Sequence, residues 1–216
     1  MGAKFYRLAN LILRIAFRVA LDLKVEGIEN VPSDGPLIVA INHTSFVDPL
    51  LVGVMVPRDV VMMSKMENFK LPIVRALVKA YGAFPIHRGE VDRAALKRAL
   101  EVLREGGALL MAPEGTRSKD GQLQSGHDGL AMIAVRTGAP ILPFVIAGAK
   151  TVSGNLARLR RTAVTVRIGA PFLLASQSDR QRASREDLRT LTDQLMLHMA
   201  ELLPADQRGA YQDRFA

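Results

Sequence analysis

Short apolar runs alternate along this chain with longer stretches in which apolar residues recur every three or four positions. A short apolar run bounded by turn residues suits a buried strand, and the wider spacing suits a helix packed by one face. Leu37–Ile41, residues 108–112 and Ile141–Ala147 are runs of the first kind. Leu21–Glu26 and residues 59–64, 83–86 and 163–168 are predicted as further strands. Helices are predicted over residues 4–21, 49–56, 71–80, 91–105 and 128–137. Gly106-Gly107 stops the fourth of these. Ser184 caps a last helix, which buries Leu188, Leu191, Leu195, Met199 and Leu202 and ends before Pro204.

Strands alternating with helices at this spacing predict an α/β fold: one domain with a mostly parallel central sheet covered by helices. Ligands of such sheets collect beyond the carboxyl ends of the strands. Three polar clusters follow predicted strands: residues 43–48, His87-Arg88, and residues 114–117. Parallel strands would bring all three to one edge.

The first cluster is Asn42-His43-Thr44-Ser45-Phe46-Val47-Asp48, followed by Pro49. His43 leaves a buried strand, and Asp48 stands at the predicted helix start with proline at the first helical position. A turn would let the two side chains meet as an acid/base pair. Alternatively, Ser45-x-x-Asp48 forms a capping box and Asp48 serves the helix alone. A carboxylate has two oxygens, so both uses are compatible.

Composition narrows the chemistry. The 216 residues include no Cys and no Trp, with formal net charge +8. Without Cys there is neither disulfide nor thiolate nucleophile. The positive surface would attract anions. Nucleic acid is not expected as the partner, because three Tyr and no Trp offer little for base stacking. No serine lies in a G-x-S-x-G elbow, no phosphate-binding G-x-x-x-x-G-K-[ST] loop occurs, and His43, His87, His127 and His198 lack metal-ligand spacing. What remains is His43 with a carboxylate, beside Arg88, Arg117 and Lys65. That set suits a general base acting on a hydroxyl next to a basic pocket for phosphate. Glu114 is either a substrate contact or a buried pin for its loop. Gly115 suits a close backbone approach or positive φ.

Residues 1–21 stand apart from residues 22–216. On a helix turning about 100° per residue, Lys4, Arg7, Arg14 and Arg18 share a narrow sector. Phe5, Leu8, Ile12, Ile15 and Val19 are expected on the opposite side. A basic stripe with a wide apolar face predicts an amphipathic helix lying in the interface of an anionic membrane. No run approaches the roughly 18 apolar residues of a membrane span. The arginines within residues 158–189 would face anionic lipid, an acidic carrier protein or solvent.

The chain resembles the glycerolipid acyltransferase superfamily, and within it the lysophosphatidic acid acyltransferases. Four blocks in the family's order carry the resemblance. Asn42-His43-x-x-x-x-Asp48 matches N-H-x4-D, and Gly82-x-Phe84-Pro85-Ile86-His87-Arg88 resembles the second block. Pro113-Glu114-Gly115-Thr116-Arg117-Ser118 matches F-P-E-G-T-R-S, with Ala112 in place of Phe, and Ile141-Leu142-Pro143-Phe144-Val145 resembles the fourth.

The resemblance implies an enzyme that transfers a fatty acyl group from acyl-CoA or acyl carrier protein to the hydroxyl of lysophosphatidic acid. His43 would be the general base and Asp48 would orient it. Arg88, Glu114, Gly115, Thr116 and Arg117 would bind the acceptor, with Lys65 added from its position after the first block. It implies neither metal nor resident cofactor, and a peripheral or monotopic place on the cytoplasmic face of a membrane. His87 stands where the family usually has an acidic residue, and residues 124–128 lack a basic residue that many relatives carry, a place His127 would take if it is not simply solvated. Both departures bear on the acceptor, which would then be another lyso-lipid or a non-phosphate alcohol; the rival from another class is a non-catalytic lipid-binding protein that keeps the fold, against which the intact His43–Asp48 pair argues.

Overall fold

The computed structural model describes residues 3–70, 75, 78, 81–86, 92–174 and 183–215. The helix expected over residues 71–80 lies largely outside them. The apolar run Leu37–Ile41 forms strand β2, buried at every position. It is the middle strand of a seven-stranded sheet ordered β1-β7-β6-β2-β5-β3-β4. The other strands are β1 (Leu21–Glu26), β3 (Val60–Lys65), β4 (Phe84–Ile86), β5 (Ala108–Met111), β6 (Ile141–Ala147) and β7 (Thr162–Ile168). The helices are α1 (Ala3–Ala20), α2 (Asp48–Met55), α3 (Arg93–Arg104), α4 (Gly129–Thr137), α5 (Val152–Ala157) and α6 (Arg185–Leu202).

Successive side chains of a strand point to opposite faces, so β2 feeds two cores. Leu37, Val39 and Ile41 pack with Leu110, Phe144, Phe17 of α1 and Leu51 and Val52 of α2. Ile38 and Ala40 pack with Val102 and Leu103 of α3, Leu130 and Ile133 of α4, and Leu195 and Met199 of α6. A sheet covered on both faces needs apolar residues at consecutive positions, which explains why β2, β5 and β6 read as unbroken apolar runs. Leu13 and Phe17 tie α1 into the same core as Leu21 and the rest of the domain.

The pairs β3/β4, β3/β5, β2/β5 and β2/β6 are parallel, so these five strands deliver their carboxyl ends to one edge. The strand β7 runs antiparallel to β6, and β1 follows β7 in direction. The amino ends of β7 and β1 therefore lie at that same edge, with the end of α1. The helix α5 and the 3-10 turns at Ile28–Asn30, Met66–Phe69, Ala205–Gln207 and Gly209–Phe215 escape the sequence pattern. Segments this short are smaller than the window in which periodicity can be read.

Candidate active site

The site grows from the end of β2. Asn42 is 2% exposed, and its side-chain amide continues the ladder one residue past the strand. Its Nδ2 donates to the Ile146 carbonyl at 2.9 Å, and the Ile146 N–H donates to its Oδ1 at 2.8 Å. An aspartate there could accept but not donate. This clasp fixes the point where the chain leaves the sheet, and so the position of His43.

The turn after Asn42 carries its hydrogen bonds inward. Asp48 is fully buried, and its Oδ2 accepts the N–H groups of Thr44 at 2.7 Å and Ser45 at 2.6 Å. The same oxygen lies 3.1 Å from His43 Nδ1. Asp48 Oδ1 is buried without a partner among the described residues. Only the carboxylate half of the expected capping box forms, from the Ser45 N–H to Asp48 Oδ2: the N-cap of α2 is Val47, with no side-chain cap. Asp48 is the first helical residue rather than the cap, so its carboxylate falls behind the turn and closes it. An acceptor oxygen opposite Nδ1 places the ring proton there and leaves Nε2 as the acceptor.

The loop after β5 holds the histidine from the other side. Glu114 Oε1 accepts the His43 N–H at 2.7 Å, and the Ser118 N–H donates to the His43 carbonyl at 2.7 Å. Both backbone groups of His43 are thus fixed by residues of the neighbouring strand's loop. Glu114 is 2% exposed, and its Oε2 accepts from Gln124 N at 2.9 Å and Gln124 Nε2 at 3.2 Å. Burial pushes its carboxyl above the ordinary carboxylate range, against the pull of these donors. Gln124 Nε2 also reaches the Thr116 carbonyl at 3.2 Å. Gly115 has φ +67°, and a Cβ there would lie 2.9 Å from His127 Cδ2. Only glycine serves both needs. His127 is exposed, and its N–H donates to the Pro113 carbonyl at 2.9 Å, which seats it on this loop.

Thr116 and Arg117 are exposed, and Arg117 forms no ion pair or hydrogen bond among the described residues. The residue that follows it, Ser118, bonds the His43 backbone, so Arg117 emerges one position from the histidine. Lys65 ends β3 at the same edge, exposed and 3.2 Å from Glu67. Arg88 and His87 lie outside the described residues. The structure therefore brings together His43, Asp48, Glu114, Gly115 and Arg117, with Lys65 two strands away in the order β2-β5-β3. The sequence gives no sign of the parts played by Ser118 and Gln124, whose partners are set by tertiary contact. Among the described residues no group of three or more His, Asp or Glu side chains could hold a metal ion.

The Acyltransferase family profile matches residues 22–147, from β1 through the end of β6. The chain is 34% identical over 151 residues to the chloroplastic 1-acyl-sn-glycerol-3-phosphate acyltransferase of Arabidopsis thaliana, covering 67% of this chain and 42% of that protein. It thus spans less than half the length of that relative. It is 27% identical over 199 residues to the 1-acyl-sn-glycerol-3-phosphate acyltransferase of Bacillus subtilis, covering 91% and 96% of the two chains. The crystal structure of the 1-acyl-sn-glycerophosphate acyltransferase PlsC from Thermotoga maritima superposes with a TM-score of 0.68 at 30% identity, covering 91% of this chain and 79% of that one. A profile matched across four of the six sheet junctions, and a solved fold matched over nearly the whole chain, place this protein in the acyltransferase family.

Proposed function

We infer that the protein transfers a fatty acyl group from a thioester, acyl-CoA or acyl carrier protein, to the free hydroxyl of lysophosphatidic acid, forming phosphatidic acid. One observation carries this reading: His43 Nδ1 lies 3.1 Å from the buried Asp48 Oδ2, and both backbone groups of the histidine are held. An imidazole oriented in this way can accept a proton only through Nε2.

The chemistry then follows from the groups present. His43 Nε2 takes the proton as the acceptor oxygen attacks the thioester carbonyl carbon. The tetrahedral oxyanion collapses, the C–S bond breaks, and the imidazolium returns the proton to the leaving sulfur. A positioned base of this kind contributes roughly 10²–10⁴-fold. Arg117, with Arg88 and Lys65, would take the acceptor phosphate, for which guanidinium geometry is suited. Glu114, with both oxygens engaged by protein donors, acts as a pin for His43 rather than as a hand for substrate. Gly115 and Thr116 shape the loop that presents Arg117.

The acceptor is a bilayer lipid, so the enzyme would work from the surface of a membrane, peripheral or monotopic on its cytoplasmic face. Among the described residues no helix is long and apolar enough to cross a membrane. Leu8, Leu11, Ile12, Ile15 and Val19 of α1 are 53–70% exposed, an unpartnered apolar stripe that supports interfacial docking. The basic stripe is its neighbour rather than its opposite, about 80° away at 100° per residue. Arg14 donates to the Val54 carbonyl at 3.0 Å, and the exposed Arg18 can reach lipid headgroups beside the apolar stripe.

The test is a labelled acyl-transfer assay crossing acyl-CoA and acyl carrier protein with lysophosphatidic acid and other lyso-lipids. Lysophosphatidic acid should be the preferred acceptor, and the His43→Ala variant should be slower by roughly 10²–10⁴-fold. Transfer that ignores the phosphate would redirect the reading to another alcohol.

A further inference from the structure

The turn between α5 and β7 reads Leu156-Ala157-Arg158-Leu159-Arg160-Arg161. Leu159 is 94% exposed and Leu156 51%. Leu159 is also the only non-glycine residue at positive φ among the described residues, at 54°. Glycine or asparagine adopts this conformation at far lower cost. The turn is nonetheless well built. The N–H groups of Arg158 and Arg160 donate to the Asn155 carbonyl at 3.0 and 2.8 Å, and Leu159 N–H donates to the Leu156 carbonyl at 3.0 Å. Asn155 Nδ2 in turn holds Thr162 Oγ1 at 3.0 Å. A strained and fixed leucine presented to water calls for a use, where a lone exposed leucine would not.

Its surroundings indicate the use. The amino end of β7 lies at the edge that carries the His43 turn, because β7 runs antiparallel to β6. The Arg161 guanidinium donates to the carbonyls of Arg18 and Leu21, which ties the turn to the last turn of α1. Ile15 and Val19, 59% and 70% exposed, belong to that end of α1. Arg158 and Arg160 are exposed, and their side chains have no partner among the described residues. A convex apolar tip between two free guanidiniums matches the layering of an anionic bilayer, with acyl chains below and phosphates above. A protein partner would instead need a hole shaped to the tip.

We propose that residues 156–161 form a second membrane contact, in which Leu159 enters the boundary of headgroups and acyl chains while Arg158 and Arg160 meet lipid phosphates. It rests on the interfacial reading of α1 and adds an orientation to it. A helix lying on a membrane can roll about its axis. A second contact off that axis stops the roll and sets the edge bearing His43 toward the lipid. Phe46, three residues past His43 and 49% exposed, stands on that edge.

The chain has no Trp, so single substitutions report cleanly. The full chain would be made with Leu159→Trp, Ile15→Trp or Leu173→Trp. Leu173 is 63% exposed but follows Phe172, which bridges Ile141 at the opposite edge. Fluorescence would be read with vesicles of phosphatidylcholine and phosphatidylglycerol whose chains are brominated near the headgroup. Leu159→Trp and Ile15→Trp should both shift to the blue and be quenched, and Leu173→Trp should not. Quenching of Ile15→Trp without Leu159→Trp overturns the second contact and leaves the helix reading standing. Quenching of neither removes both. Quenching of all three means adsorption without a preferred edge and also overturns the proposal. A blue shift of Leu159→Trp with acyl carrier protein but not with vesicles assigns the turn to the carrier instead. Arg158→Ser and Arg160→Ser should each weaken partition onto anionic vesicles about fivefold and leave neutral vesicles unaffected.

Discussion

The turn around His43 and the outer face of α1 depart from the usual placing of polar and apolar groups in opposite directions. Around His43, Asp48 and Glu114 are withdrawn from water almost completely, at 0% and 2% exposure. On α1, five large apolar side chains remain more than half exposed. Scattered exposed leucines are ordinary, but buried carboxylates and contiguous apolar stripes carry information. The carboxylates are compensated inside the chain by N–H donors at 2.6–2.9 Å. The stripe has no such compensation among the described residues. With the exception of Asp48 Oδ1, which has no partner among the described residues, the first region is complete in the folded protein, and the second is not.

The largest predicted effects fall on the buried region. His43→Ala should lower acyl transfer by roughly 10²–10⁴-fold while circular dichroism stays that of the parent. A variant as fast as the parent would reduce the site to a well-ordered turn. Asp48→Asn should cost about 10²-fold or more in kcat, because an amide whose oxygen takes the place of Oδ2 keeps the contacts to Thr44, Ser45 and His43 but brings no charge to stabilise the imidazolium. Steady-state kinetics would show KM nearly unchanged.

Arg117→Ala should raise KM for lysophosphatidic acid about tenfold or more, the value of a charge-assisted hydrogen bond, and spare acceptors without phosphate. Equal losses on both kinds of acceptor would mean that Arg117 does not bind phosphate. Glu114→Ala strands the His43 and Gln124 N–H groups and should destabilise the fold by about 2–4 kcal/mol in urea unfolding. Glu114 also adds a pH dependence of definite sign. Its folded value is raised above its ordinary 4.5, so its stabilising contribution is full below 4.5 and is lost as pH rises through the folded value. Parental stability relative to Glu114→Gln should therefore fall across that window, and a rise would contradict the burial argument.

The smallest effects on stability should come from α1. Leu11→Ser with Ile15→Ser should change unfolding by no more than about 0.5 kcal/mol per site, yet release the protein from anionic vesicles. Deleting the helix outright is a weaker test, because Leu13 and Phe17 would leave the core with it. Stability loss from the two serines would show that the stripe is packed, and would erase the contrast between the two regions.

Much of this was legible in the sequence, for a local reason. The apolar runs of β2 and β6 and the capped start of α6 at Ser184 depend on neighbours a few residues away, and their predicted bounds match the structure closely. The nearness of His43 to Asp48 is also local, since a five-residue turn joins them. The Ser45 capping box formed only by half, because the helix starts two residues later than that pattern places it, with Val47 and not Ser45 as its N-cap, and the sequence pattern is the same for both. Nothing in the order of residues marked Gln124, Ser118 or the antiparallel course of β7. A buried N–H accepts any suitably placed oxygen, whatever its distance along the chain.

The sequence by itself determined the kinds of element, the apolar faces they bury and the polar residues left at the strand ends. Only the tertiary structure decided that Glu114, 71 residues from His43, would hold its N–H, and that the apolar stripe of α1 would stay uncovered. Periodicity is written residue by residue because it follows backbone geometry. Which loop lies beside which is set by the order of strands that buries the most apolar surface, a property of the whole chain at once.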